Sequence, residues 1–223
     1  MSHTAVLLAG GKSSRMGRDK SSLPVNGEPL WRRQLAILRA TEPAEIFISG
    51  MRDGPYAECG VEILADEFPD CGPLGGIATA LRRCTSDHLL VLAVDMPAMT
   101  AAFLRTLREE SQRIAKGVIP AVAADGRMRA DFQSAIRNRQ SKMESAHLLP
   151  SAATNIEPLA AIYPRAALAI ADECLRAGDF KLEIFIRKLE AQGLSTIRPV
   201  GADEAALFVN WNHPGDVPLP FAE

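Results

Sequence analysis

The 223-residue chain reads as an α/β protein with a mostly parallel central sheet and helices on both faces. Three observations carry that reading. Short apolar runs alternate with longer segments of helical periodicity through the first half. Residues 88–94 form a nearly continuous apolar run, as in a parallel strand covered on both faces. A glycine-rich loop follows the first apolar run directly, at the carboxyl edge where ligands of such sheets sit.

The elements follow in order. Residues 5–9 read as a buried strand. Pro29 suits the first turn of a helix, and Trp31, Leu35 and Leu38 continue it along one face. Residues 45–49 form a second strand and residues 61–64 a third, ending near Asp66. Residues from about 73 to 84 are helical, and the run at 88–94 is the central strand. Phe103, Leu104, Leu107 and Ile114 stripe the next helix, and residues 118–122 are a strand. In the less regular second half, residues 158–163 read as a strand stopped by Pro164. Leu182, Phe185, Ile186 and Leu189 mark a helix with Gly193 placed for its C-terminal cap. Residues from about 125 to 155 stand apart. They carry Arg127, Arg129, Arg137, Arg139 and Lys142 against Asp131 and Glu144, with weak apolar periodicity. This stretch reads as an insertion within one domain spanning 1–223: a surface loop with one short helix through Phe132, Ile136 and Met143.

Composition bounds the function. Hydrophobic residues make up 47% and charged residues 23%, the balance of a soluble globular protein. A net charge of −2 gives no general attraction to nucleic acid or acidic membranes. No apolar stretch approaches the ~20 residues of a membrane span. The first residues lead straight into a strand without a signal-peptide pattern. Cys59, Cys71, Cys84 and Cys174 are scattered and read as reduced thiols of a cytoplasmic protein. His3, His88, His147 and His213 show no metal-ligand spacing.

Two segments carry the chemistry. The loop Gly10-Gly11-Lys12-Ser13-Ser14-Arg15-Met16-Gly17-Arg18-Asp19-Lys20 sets four cations against one acid. Free backbone N–H groups and clustered cations are how proteins hold a polyphosphate. The spacing fits neither a Walker loop nor a dinucleotide fingerprint, and an exposed basic turn is the bland alternative. In the second segment Asp95 follows the central strand, in Asp95-Met96-Pro97. A carboxylate there can hold Mg²⁺ together with substrate phosphates, or merely cap the next helix. Gly72, Gly75 and Gly76 around Pro73 offer bare backbone for a base or ribose, or a simple strand-to-helix turn. Asn210 and Asn212 project to one side of an extended segment, for ligand contact or turn chemistry, with Trp211 opposite as a packing residue.

The run Leu8-Ala9-Gly10-Gly11-Lys12-Ser13-Ser14-Arg15-Met16-Gly17 with Asp19-Lys20 resembles the signature of nucleotidyltransferases that activate sugars and cofactors with a nucleoside triphosphate. Within that class it is most similar to the molybdenum cofactor guanylyltransferases. Asp66 to Ile77, Asp95-Met96-Pro97, Glu157-Pro158-Leu159 and Val209-Asn210-Trp211-Asn212-His213-Pro214-Gly215-Asp216 agree with that family in order. The likeness is close over residues 4–99 and patchy over 155–216. Relatives place a polar residue, often Asn, after the second strand, where this chain has Ser49-Gly50, and Thr where it has His213.

The resemblance implies a single Rossmann-like nucleotidyltransferase domain. It implies Mg²⁺-dependent transfer of GMP from GTP to molybdenum-molybdopterin, with molybdoenzymes or cofactor-insertion proteins as downstream partners. Arg15, Lys20 and Asp95 become the catalytic residues, with Asp95 on the metal. Leu8, Ala9, Gly10, Gly11, Lys20, Asp66 and Asp95 line the nucleotide, and Asn210 and Asn212 face the pterin. Cytidylyltransferases of the same family tend to read Leu-Ala-Ala-Gly and Pro-Pro-Leu, where this chain has Leu8-Ala9-Gly10-Gly11 and Gly72-Pro73-Leu74. A sugar-phosphate nucleotidyltransferase and a catalytically idle cofactor carrier are the remaining alternatives; the intact charge set argues against the carrier.

Overall fold

β1 (His3–Leu8) is buried along its whole length and lies in the interior of an eight-stranded mixed sheet. The computed structural model describes residues 2–10, 20–25, 27–123 and 154–211. The basic loop from Gly11 to Asp19, the side chain of Lys20, most of the 125–155 stretch and the residues from Asn212 onward lie outside the described residues.

After β1 a two-stranded ribbon, β2 (Pro24–Val25) and β3 (Glu28–Pro29), leads into α1 (Leu30–Arg39). Pro29 is the last residue before the helix, one position earlier than its first turn. β4 (Glu45–Ser49) and β5 (Glu62–Leu64) follow, then α2 (Gly72–Arg83), with Pro73 in its first turn. β6 (His88–Ala93) is buried throughout. α3 (Ala101–Ile114) starts at Thr100, whose hydroxyl accepts from the Phe103 N–H at 3.3 Å, and ends at Ala115 in the left-handed region. β7 (Gly117–Ala123), β8 (Thr154–Ile156), β9 (Ala160–Pro164), α4 (Ala167–Ala177), α5 (Leu182–Ala191) and β10 (Ser195–Pro199) complete the order. Gly193, at φ +67°, closes α5 as its position in the sequence implies.

The sheet order is β10-β7-β9-β6-β1-β4-β5, with β8 pairing β7. β1 pairs in parallel with both β4 and β6, β4 with β5, and β7 with β10. β9 runs antiparallel to β6 and β7, and β8 antiparallel to β7. The strand expected over 158–163 and stopped by Pro164 begins two residues later and includes Pro164, and a separate short strand precedes it. Asn155 and Ile156 pair with β7, Pro158 and Leu159 turn, and β9 begins at Ala160.

Strand alternation sorts the core onto the two faces. Ala5, Leu7, Leu90, Leu92 and Ile162 pack under α1 and α3 with Leu30, Leu35, Phe103 and Leu107. Val6, Leu8, Leu89, Val91 and Tyr163 pack under α2, α4 and α5 with Leu74, Ile77, Ile170 and Phe185. Fully burying one such leucine contributes about 1.5–3 kcal/mol. The four cysteines are free, and burial raises the proton affinity of Cys84 and Cys174. No described helix is long and apolar enough to cross a membrane.

His3 and His88 pair across β1 and β6 at the edge opposite the glycine loop. The ring Nε2 of His3 lies 3.0 Å from the Thr41 hydroxyl, and Arg108 donates to the Thr41 carbonyl at 2.8 Å. Burial, reinforced by Arg108 and His88, lowers the His3 pKa to about 4. The fold therefore holds His3 neutral, while the unfolded chain protonates it near its ordinary value of 6.5. Between pH 4 and 6.5 the unfolded state binds the extra proton, so stability falls as pH drops through that window. The contribution at stake is about 3 kcal/mol. His3→Gln should flatten the pH dependence of urea unfolding between pH 6.5 and 4; an unchanged slope would assign the acid sensitivity to other groups.

Candidate active site

β1 has β4 on one side and β6 on the other, so the strand order reverses at its carboxyl end. Connections leave in opposite directions there, and a crevice opens between them. Leu8 is buried, Ala9 half-buried and Gly10 exposed, so the chain climbs out of the core into that crevice. The N–H groups of Ala9 and Gly10 both donate to the Ser49 carbonyl, at 2.9 and 3.0 Å, and keep β1 joined to β4 up to its exit.

The crevice is walled by bare backbone. A Cβ on Gly10 would touch the Gly50 Cα at 3.5 Å. A Cβ on Gly50 would lie 2.1 Å from the Tyr56 hydroxyl, which accepts from the Met51 N–H at 3.0 Å. At the start of α2, a Cβ on Gly75 would meet the Phe68 carbonyl at 2.9 Å and an Asp66 carboxylate oxygen at 3.0 Å. On Gly76 it would meet the Ser49 hydroxyl at 2.9 Å. Close approach demands glycine at Gly50, Gly75 and Gly76, and at the last two it brings the first turn of α2 against Phe68 and Ser49; the contact at Gly10 is ordinary. Asp66 lies two residues past β5, exposed, and accepts from the Phe68 N–H at 2.8 Å. That bond fixes the turn into α2 and orients the carboxylate of the predicted nucleotide contact.

Asp95 stands two residues past β6, half-buried. Its loop is held from four directions. The Val94 N–H donates to the Leu8 carbonyl at 3.0 Å, and the Trp211 N–H donates to the Asp95 carbonyl at 3.0 Å. From α1 the Gln34 amide donates to the Met96 carbonyl, and Arg33 donates to the Pro97 carbonyl at 3.1 Å. Gln34 is buried in the apolar stripe of α1 between Leu30, Trp31, Leu35 and Leu38. A polar residue inside such a stripe was the available signal for this contact.

Glu157 is the residue that sequence reasoning did not assign. The antiparallel register sets Leu92 opposite Ala160. Continued three residues past the strand end, it sets Asp95 opposite Glu157. The Ala93 N–H donates to the Leu159 carbonyl at 2.7 Å and the Glu157 N–H to the Pro120 carbonyl at 2.8 Å. Burial first, and the Asp95 charge second, raise the Glu157 pKa to about 7, against a hydrogen bond from the Asn210 side chain that lowers it. Asn210 thus joins Asp95 and Glu157. Its Oδ1 is sealed from solvent and has no hydrogen-bond partner among the described residues. Trp211 is buried, as the packing reading of that residue requires.

The structure therefore brings together Leu8, Ala9, Gly10, Asp66, Asp95 and Asn210 along one sheet edge. Gly11, Arg15, Asn212 and the side chain of Lys20 lie outside the described residues. No group of three His, Cys, Asp or Glu side chains suited to a metal occurs among the described residues. The donors present are oxygens: the Asp95 and Glu157 carboxyls and the orphaned Asn210 Oδ1. They fit a hard divalent cation that completes its shell with substrate phosphates and water.

A strand-order reversal whose carboxyl edge carries glycines and a carboxylate is where open α/β sheets bind their ligands. The chain belongs to the MobA-like NTP transferase domain family, whose model matches residues 5–208, and it is a nucleotidyltransferase. A protein of Opitutus terrae named "Probable molybdenum cofactor guanylyltransferase" is 33% identical over 94% of this chain and 90% of its own length. The molybdenum cofactor guanylyltransferase of Xanthomonas euvesicatoria is 44% identical over 49% of this chain and 55% of its own. The fold is shared with molybdopterin-guanine dinucleotide biosynthesis protein A of Archaeoglobus fulgidus, at TM-score 0.66 and 22% identity over 96% of this chain and 94% of that one. It is shared equally with 2-C-methyl-D-erythritol 4-phosphate cytidylyltransferase of Thermus thermophilus, at TM-score 0.67 and 20% identity over 97% and 95%.

Gly50→Ala should displace Tyr56 from its buried site against Trp31, because the new methyl and the phenol cannot share the space. Overpacking of this kind costs about 1–3 kcal/mol, which corresponds to a fall of roughly 2–10 °C in the thermal midpoint for a chain of this size. A midpoint equal to wild type would show that the 50–56 loop repacks freely.

Proposed function

We propose that the chain transfers GMP from GTP to molybdenum-bound molybdopterin, forming the guanine dinucleotide cofactor and releasing pyrophosphate. Full-length similarity to a relative carrying that name supports the choice of nucleotide and acceptor. The observation that carries the chemistry is Asp95 at the crevice mouth, held by backbone bonds to β1 and to the Asn210–Trp211 segment.

In this reaction an anionic phosphate oxygen of the pterin attacks the α-phosphorus of GTP. One P–O bond forms there, the bond to the bridging α–β oxygen breaks, and pyrophosphate leaves with that electron pair. The attacking oxygen is already ionised near neutral pH, so no protein nucleophile is required. The chain has to position the reactants and neutralise charge. Leu8, Ala9, Gly10, Gly11 and Asp66 line the guanosine pocket. Arg15 and Lys20 hold the β- and γ-phosphates and stabilise the departing pyrophosphate. Asn210 and Asn212 face the pterin. Asp95 would hold Mg²⁺, assisted by the Asn210 oxygen, which has no hydrogen-bond partner among the described residues. When bound, the ion would supply positive charge that offsets the charge of the phosphates.

Pyrophosphate release measured with molybdenum-molybdopterin and each of GTP, CTP, ATP and UTP tests the reading directly. Preference for CTP would move the chain to the cytidylyl branch, and turnover only with a sugar phosphate would replace the acceptor. Asp95→Ala should remove nearly all turnover and leave the thermal midpoint close to wild type, since the Asp95 carbonyl still accepts from Trp211. Activity within a few-fold of wild type at saturating Mg²⁺ would end the metal role. Arg15→Ala and Lys20→Ala should each slow the maximal rate by ~10²–10³-fold, the range for donors that act on transition-state charge. If only the apparent GTP affinity falls, both residues serve ground-state binding instead.

A further inference from the structure

We propose that Glu157 is a positioning residue of the transfer edge: its carboxylate takes the Asn210 amide N–H and thereby turns Asn210 Oδ1 into a donor for the cation held at Asp95. The proposal rests on the reading of Asp95 as the metal-holding residue and goes beyond it by assigning the residue that orders the second oxygen.

An amide side chain has two faces, an oxygen that accepts and an NH₂ that donates, and a free one can present either. Glu157 removes that freedom. A carboxyl oxygen accepts from an amide N–H, and the Asn210 amide presents Nδ2 to it. The Asn210 side chain does donate to Glu157, and its oxygen is left buried with no hydrogen-bond partner among the described residues. A buried acceptor without a donor costs about 1–3 kcal/mol, and a site tolerates that when a ligand supplies the partner. The backbone fixes where this happens. The Trp211 N–H binds the Asp95 carbonyl at 3.0 Å, which ties the residue after Asn210 to the metal-holding loop. Glu157 is anchored through its own N–H to the Pro120 carbonyl at 2.8 Å, so its carboxylate is presented from a fixed strand turn. Three separate chain segments thus converge: the end of β6, the turn before β9 and the approach to the C-terminus. The chemistry calls for a divalent cation with an oxygen-rich shell. Partners that orient a metal ligand are worth 10–100-fold in affinity when removed.

The test titrates Mn²⁺ alone into the full-length chain and follows free Mn²⁺ by electron paramagnetic resonance. Glu157→Leu should weaken binding about 10-fold or more, and Asn210→Ala should do the same. The double variant should be no weaker than Asn210→Ala, because the two residues act through one oxygen. Glu157→Gln keeps an acceptor for the Asn210 N–H and should bind within about 3-fold of wild type. Three outcomes overturn the proposal: Glu157→Leu binding as tightly as wild type; Glu157→Gln as weak as Glu157→Leu, which would make the carboxylate itself a ligand; or losses that multiply in the double variant. If Glu157→Leu fails to fold, wild type and Glu157→Gln carry the test through ¹⁵N-asparagine spectra. The Asn210 NH₂ signal, assigned by its disappearance in Asn210→Ala, should exchange slowly with solvent in both; rapid exchange in wild type overturns the proposal. Asp95→Ala separates the two levels of the argument. Unchanged Mn²⁺ affinity in that variant would sink the metal site and this proposal with it. A loss there beside an inert Glu157→Leu would sink only the role of Glu157. None of these measurements contains GTP or a pterin, so the identity of the transferred nucleotide does not affect them.

Discussion

β1 is hydrogen-bonded along both of its edges, and the working edge of the molecule depends on that double pairing. Partners on each side leave the strand no lateral freedom, so its last residues emerge at a fixed height above the sheet. β4 lies on one side of β1 and β6 on the other, so the strand order reverses there. The Ser49 carbonyl, accepting from two successive N–H groups, carries the pairing to the lip of the crevice. Gly75 lets the Phe68 carbonyl close in, while Gly50 and Gly76 leave room for the Tyr56 and Ser49 hydroxyls.

Much of this was legible in the sequence, for a physical reason. Strands buried on both faces must be apolar almost throughout, so the runs at 5–9 and 88–94 announce themselves without any partner being known. Asp66 and Asp95 stand out because charge follows directly on such runs. What escaped notice escaped for equally physical reasons. α4 buries Ala167, Ile170, Ala171 and Cys174, small residues that give a helix face little contrast. β10 leaves most of its residues only half-buried, and alternation is weak there. The direction of β9 has no local signature at all. A strand of five residues reads alike in either sense, and only pairing with β6 and β7 decides it. That one undetermined bit is what hid Glu157, since its place opposite Asp95 exists only in the antiparallel register.

The polar residues inside the fold act on the site through backbone carbonyls. Gln34 and Arg33 reach from α1 to the Met96 and Pro97 carbonyls, so a helix whose apolar stripe packs on the core also grips the loop behind Asp95. Arg198 works similarly at the far end. It pairs with Glu204 at 2.8 and 2.9 Å and with Glu110 at 3.3 Å, and its guanidinium lies 5.1 Å from the Phe103 ring centroid. Phe103 meets Phe208 edge-on at 5.2 Å. Two ion pairs at the margin of solvent contribute modestly to stability. Their larger effect is to define the path of the short turn that delivers Asn210 beside Asp95.

The bond from Trp211 to Asp95 also sets an order of events during synthesis. Its two residues lie more than a hundred positions apart, and β9, which brings Glu157, must first slot between β6 and the already made β7. Strands β4, β5 and β6 can pair as soon as they emerge, because each neighbours an earlier one. The transfer edge can close only when nearly the whole chain is available, since such long-range contacts carry the greatest loop-closure cost and form late. A nascent or C-terminally clipped molecule would keep much of the sheet and the glycine-walled crevice while lacking the Asn210 side of its active edge. Emergence of the segment that carries Asn210 and Trp211 is thus the step that closes this edge.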